Sequence, residues 1–197
     1  MTEDAIKQRL AEVGYNMGYG AKRQFASYDI VEKLPFYFTV ATFGIGAYAL
    51  AYDESPLPKW VSLLILVLSF VMSFTNCYME SKSSFIDSGK KIQLLYSQVR
   101  NLHLLVDSGN TANILEKIGE VEKEFNEISF HKQVFGSDIY AHYKLFGESQ
   151  SKWFVDELGL TFFKDMVPAS LKKIVVLLIL VVLAIFSVPY LRGVLNG

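Results

Sequence analysis

The chain has a single cysteine, Cys77, among 197 residues, so no disulfide can form within it. Its polar part is accordingly expected in a reducing compartment. It also lacks an excess of either charge. The 19 Lys and Arg stand against 20 Asp and Glu, a formal net charge of −1. A nucleic-acid partner would leave a basic footprint, and none is expected here. Missing as well are a phosphate-cradling Walker loop, a glycine-rich dinucleotide turn after a strand and a G-x-S-x-G elbow. Cys77 sits in an apolar run, where burial disfavours the thiolate that a nucleophile requires. These absences predict a protein that is not an enzyme and needs no cofactor. Glu127 with His131, and Asp138 with His142, are each four apart and would share a helical face. They read as ordinary hydrogen-bonded helix-surface pairs, and no metal site is expected.

What the chain has is apolar length. It is 51% hydrophobic with a mean hydropathy of +0.26, beyond the range of an ordinary soluble domain. Three uncharged stretches, 34–52, 60–78 and one within 171–191, approach the ~20 residues that cross a hydrocarbon core of ~30 Å. Aromatic residues at their ends, among them Phe36, Tyr37, Tyr52, Trp60, Tyr78 and Tyr190, suit the interfaces. The first two stretches are joined by a short connection and predict a tight transmembrane hairpin. The largely polar residues 1–33 argue against a cleaved signal peptide. Lys22, Arg23, Lys33, Lys82, Lys90, Lys91, Lys164, Lys172 and Lys173 fall on one side, and only Lys59 and Arg192 on the other. By the positive-inside rule this places the N-terminus and the central region in the cytoplasm and the tail 192–197 outside.

Between the spans the period becomes helical. Ile6, Leu10, Val13 and Met17 form one stripe, in an amphipathic N-terminal helix within 1–33. Ile92, Leu95, Val99, Leu102 and Val106 form a second. Ile114, Ile118, Val121, Phe125 and Ile128 form a third. The last two stripes predict an antiparallel helical hairpin over 79–130, with Gly109 ending one helix and Asn110 or Thr111 capping the next. Residues 131–170 are aromatic-rich and read as short helices. Trp153, Phe154, Phe162 and Phe163 either lie along the membrane surface or close the helical core, and Pro168 marks a break before the last span. The fold class predicted is an all-α membrane protein, with three transmembrane helices and a cytoplasmic helical bundle.

The stretch SLLILVLSFVMSFTNCYME carries the functional question. Ser62, Ser69, Ser73, Asn76 and Glu80 fall within a sector roughly 60° wide at about 100° per residue. Polar groups inside a span are costly unless they face protein or water. Ser69 and Ser73 are a small-xxx-small pair and can be packing glue. Leu66 above Ser69, Ser73 and Asn76 could equally form a hydrophobic constriction over a wetted vestibule. An unbroken helix would carry the face on from Glu80 to Ser84, Asp87 and Lys91. Thr42 and Gly46 in the first span offer a small-residue face for helix contact. Three spans cannot enclose a pore alone, so a channel requires a homo-oligomer in the lipid bilayer.

The order of these parts resembles the SLATT family of bacterial two-transmembrane effectors, which accompany nucleotide-second-messenger and related phage-defence systems. The likeness rests on GYGAKRQFASYDIVEKLPFYFTVATF, the two spans, and MESKSSFIDSGKKIQLLYSQVRNLHLLV. FNEISFHKQVFGSDIYAHY is also similar to a Glu, His and Asp-Tyr pattern in some members. The resemblance covers roughly Met1 to Tyr143 and implies an inner-membrane effector that forms pores or perturbs the bilayer. It further implies activation by a sensor protein or ligand, and depolarisation that arrests or kills an infected cell. The third span departs from the two-span pattern. Two other readings stand beside it. One is a membrane-anchored scaffold whose heptad hairpin docks a partner. The other, a transporter subunit, lacks the buried ionisable group or broken helix of a midplane substrate site.

Overall fold

The computed structural model describes residues 2–51, 58–109, 111, 113–128, 132–173, 175–177, 179–180 and 183, and all regular structure among them is helical. The first helix, α1, runs from Glu3 to Ala51, 49 residues or about 74 Å at 1.5 Å per residue. Glu3 and Asp4 in its first turn complement the positive end of the helix dipole. The expected boundary between residues 33 and 34 is absent, because the helix continues through Pro35. A proline inside a helix forfeits one hydrogen bond and crowds the carbonyl four residues back, at a cost of about 3 kcal/mol. Packing just before it offsets that cost. Val31 is fully buried against Phe85 and Val134. One turn later, the Thr39 hydroxyl donates to the Pro35 carbonyl at 2.9 Å.

The second helix, α2, spans Lys59–Asn76. It leads through the turn at Cys77 and Tyr78 and a 3-10 turn, Met79–Ser81, into α3, Lys82–Asp107. Trp60–Asn76 and Met79–Asp107 are bent by 48° to each other. α3 lies along the polar half of α1. Ile6, Leu10, Val13 and Met17 of α1 and Ile92, Leu95, Val99, Leu102 and Val106 of α3 are all buried, as their periods require. The backbones approach closely at glycines. A Cβ on Gly89 would sit 2.8 Å from the Phe25 ring, and one on Gly18 would sit 3.1 Å from Tyr96.

α4, Ile114–Glu127, folds back after α3 and buries Ile114, Ile118 and Val121, with Phe125 half-buried. Gly109 takes the left-handed conformation that ends α3. The cap expected at Asn110 or Thr111 falls elsewhere. Asn113, with φ 57°, occupies the N-cap position and makes no side-chain cap bond, while Asn110 lies outside the described residues. α5, Ser137–Tyr143, continues as a π-helical turn to Glu148, and α6 covers Lys152–Leu158. Both pack on α1. Phe154 is fully buried, and the Trp153 indole N–H donates to the Tyr96 hydroxyl at 3.0 Å. These two aromatics therefore close the helical core and do not lie along a membrane surface.

Residues 159–197 form a second compact unit. In it, Phe162 and Phe163 are exposed on a π-helical turn that Asp165 holds by accepting from the Thr161 N–H and hydroxyl. A helix begins after Pro168, and its described residues up to 183 are helical. Much of the expected third span, and the tail 192–197, lie outside the described residues. Among those described, α1 alone is long and apolar enough to cross a membrane, and the bent pair of α2 and α3 passes only when taken together. The fold thus supplies one or two spanning candidates where hydropathy predicts three.

Candidate functional site

The second half of α1 and the whole of α2 carry large apolar side chains in the open. Phe43 is 77% exposed, Leu50 85% and Leu66 66%, and no residue of α1's apolar window is buried. A soluble monomer rarely exposes such a surface, and only lipid or other protein can cover it.

α2 divides into three faces. Val61 and Thr75 are buried, and Ile65, Leu68 and Met72 half-buried, on the side that meets α1. Roughly 100° around the helix lie Ser62, Leu66, Ser69, Ser73 and Asn76, all exposed. Beyond them Leu63, Leu64, Val67, Phe70, Val71 and Phe74 form an exposed, wholly apolar side. The chain therefore leaves the polar stripe unused in packing α2 on α1, while Phe70, Val71 and Phe74 of the apolar side border a fissure shared with α1.

Within the stripe the polar groups differ in need. The Ser69 hydroxyl donates to the Ile65 carbonyl at 2.8 Å, and the Ser73 carbonyl accepts a long contact from the Cys77 thiol at 3.6 Å. Such back-bonding lets a serine tolerate an apolar setting. An Asn amide offers two donors and an acceptor, more than a single back-bond to the helix satisfies. Asn76 is exposed at the last turn of α2, beside the exposed thiol of Cys77.

Glu80 does not extend this face. The helix ends at Asn76, and Glu80 stands exposed on the 3-10 turn after it, so the register to Ser84, Asp87 and Lys91 is lost. Those three instead line a 680 Å³ crevice with Glu124 and Glu127 of α4. Thr42 satisfies its hydroxyl on the Phe38 and Thr39 carbonyls. Gly46 has open space where a Cβ would stand, so within one chain it makes no close approach to a neighbouring helix. Ile92, Leu95, Val99, Leu102, Ile118 and Val121 are buried inside the bundle, and Phe125 lies over Gly20.

Below the bend, ion pairs tie the helices together. Lys82 pairs with Glu32 of α1, and Lys144 bonds Asp29 at 2.7 Å, a carboxylate that Lys33 also reaches at 2.9 Å. Partial burial alone would raise the Asp29 carboxyl, but hydrogen bonds from Lys144 and Lys33 outweigh it and hold it below the usual range. Farther along, Lys7 bridges Glu3 and Asp107, and Arg9 donates to Glu122 at 2.6 Å.

One feature escaped sequence reasoning altogether. A 340 Å³ apolar fissure opens at the bend, lined by Ile30 and Leu34 of α1, Phe70 and Phe74 of α2, Tyr78 and Val134. Its walls come from three separated segments, so no local pattern marks it. Of the two acid–histidine pairs, His131 lies outside the described residues, and His142 meets the Tyr19 ring edge-to-face with centres 4.9 Å apart. No group of three metal-type ligands occurs among the described residues.

No curated protein and no solved structure matches the chain. A family model does, over residues 1–175, and its description is "SMODS and SLOG-associating 2TM effector domain 6". The matched region takes in α1, α2 and the polar bundle, with the apolar helices where a two-transmembrane domain needs them. This chain belongs to the SLATT family of membrane effectors of conflict and defence systems.

Proposed function

We propose that the protein is an oligomeric, pore-forming effector in which the Ser62-to-Asn76 stripe of α2 faces the ion path. The observation that carries this is the division of α2 into three faces. A ring of copies needs one surface for its own hairpin partner, one for lipid and one for the lumen, and α2 has one of each kind. Leu66 then forms the constriction and Asn76 the wetted mouth. The bundle lies in the cytoplasm of the bacterial inner membrane, where a sensor or ligand acts on it. Opening depolarises the membrane, and no catalytic step is needed.

Leu66→Gly removes the constriction and tests this without an activator. The full-length variant in liposomes is expected to leak ions at least roughly tenfold faster than the wild type, as removal of a dewetting barrier requires. Adding Asn76→Leu is expected to suppress that leak with the oligomer unchanged. Cys77, the only thiol, should react with a membrane-impermeant reagent in the leaky variant. A Leu66→Gly oligomer as tight as the wild type would sink the pore reading.

The scaffold alternative needs a surface of the hairpin that the bundle leaves open. Ile92, Leu95, Val99 and Leu102 pack α3 within the bundle. Leu94, Leu104 and Leu115 remain exposed and are where such a partner would bind.

A further inference from the structure

A crevice of 240 Å³ lies in the polar bundle, and α2 contributes nothing to its walls. These include Lys22 of α1, Gln93, Tyr96 and Arg100 of α3, and Glu148 and Ser149 from the segment between α5 and α6. Lys22 and Arg100 are both half-buried, and neither forms an ion pair among the described residues. This sets them apart from Lys7, Arg9, Lys33, Lys82 and Lys144, each of which holds a carboxylate. Lys22 instead lies over an aromatic face, 5.9 Å from the Phe25 ring centre. The one acidic wall residue is partly spent elsewhere, since Glu148 lies 4.0 Å from the Lys144 ammonium. Burial first, and then the Lys144 charge, hold the Lys22 ammonium below its ordinary range, against a smaller opposing effect of Glu148.

We propose that this crevice binds a small phosphorylated anion, with Lys22 and Arg100 as its charge partners and the Gln93 amide as a neutral donor. A guanidinium matches two phosphate oxygens at once, and an ammonium adds a point charge. The phosphate comes from solution and not from a lipid headgroup. Lys22 precedes Leu34, the start of the uncharged stretch, by twelve residues, or about 18 Å of helix, and a headgroup layer is only about 5–8 Å deep. Binding there would reach the apolar segments through the helices that carry its walls. Lys22 rides on the same unbroken helix as the first span, and Arg100 on the helix that follows α2 through the 3-10 turn. An anion drawing the two together bears on both apolar helices. The binding claim does not depend on the pore reading, and its test reads no flux.

The molecule contains its own reporter. Tyr96 in the wall accepts from the Trp153 indole and donates to the Gln150 carbonyl at 3.2 Å. With Trp60→Phe, Trp153 is the only tryptophan of the chain. The full-length protein in nanodiscs is titrated with inorganic phosphate against chloride at matched ionic strength. A saturable change in Trp153 emission is expected with phosphate alone. Lys22→Gln and Arg100→Gln should each raise the half-saturation point roughly tenfold or more, as loss of a charge-assisted bond implies, and Glu148→Gln on the exposed rim should lower it. If either cation variant fails to fold, judged by its thermal midpoint, the Glu148→Gln shift decides. The proposal is overturned by an unsaturable response, by one equal in all variants, or by one produced only by anionic lipid.

Discussion

Gln24 is fully buried in α1, and neither atom of its side-chain amide has a hydrogen-bond partner. A buried amide left unmade costs about 1–3 kcal/mol. Its neighbour one turn on shows the usual solution, since the Ser27 hydroxyl donates to the Gln133 side chain at 2.8 Å. Gln24→Met keeps the volume and the helix preference while removing the orphaned groups. We expect it to raise unfolding stability by about 1 kcal/mol, measured by chemical denaturation of the full chain in detergent. A loss of stability instead would mean that the amide is bonded through buried water. Asn76 presents the opposite case: a side chain that burial does not explain, on a face the chain leaves open.

At the scale of elements, the bundle is held by close approach. Gly14 of α1 faces α6, and a Cβ there would lie 2.3 Å from the Trp153 ring. That ring cannot easily swing away, because its N–H is bonded to Tyr96 and its centre lies 4.9 Å from that of His103. Gly14→Ala is therefore expected to destabilise the bundle by about 1–3 kcal/mol and to shift Trp153 fluorescence to the red as α6 loosens. An unchanged spectrum and midpoint would show that the indole has room to move. The 48° bend after α2 has an equally local origin. The Cys77 N–H bonds the Phe74 carbonyl and the Tyr78 N–H the Thr75 carbonyl, which tightens the last turn. The 3-10 turn then redirects the chain.

For the whole molecule, the ion pairs give a pH dependence with a definite sign. Asp29 and Asp107 are both held below the usual aspartate range, and Lys144 above the usual lysine range. A depressed carboxyl contributes stability that is complete above the unfolded aspartate pKa of about 4 and is lost as pH falls through the lower folded value. A raised lysine contributes fully below its unfolded pKa of about 10.4 and loses this as pH rises through the folded value. Asp29→Asn should thus lower the thermal midpoint at about pH 7. Its deficit should begin to close as pH falls below about 4 and should vanish only below the lower folded value, where the native carboxylate is protonated too. A deficit that persists unchanged at about pH 3, below the unfolded aspartate pKa, would point to lost packing and not to charge.

Much of this was legible in the sequence, for a physical reason. Burial follows the helical period, so Ile6, Leu10, Val13, Met17, Ile92, Leu95 and Val99 announce their inward faces wherever the partner lies. Uncharged length announces a bilayer in the same way, and the polar stripe of α2 is a property of one helix alone. What tertiary structure decided is everything that joins distant segments. The boundary expected between residues 33 and 34 is not kept, because α1 runs on through Pro35 with Val31 buried against Phe85 and Val134. Glu80 reads as part of the stripe until the bend removes it. Trp153 and Phe154 read equally as membrane-surface or core residues, and Tyr96 and the close approach of Gly14 place them in the core. The crevice that brings Lys22 to Arg100 has no local signature, because an electrostatic site is made by proximity in space, and periodicity records only direction along a single helix.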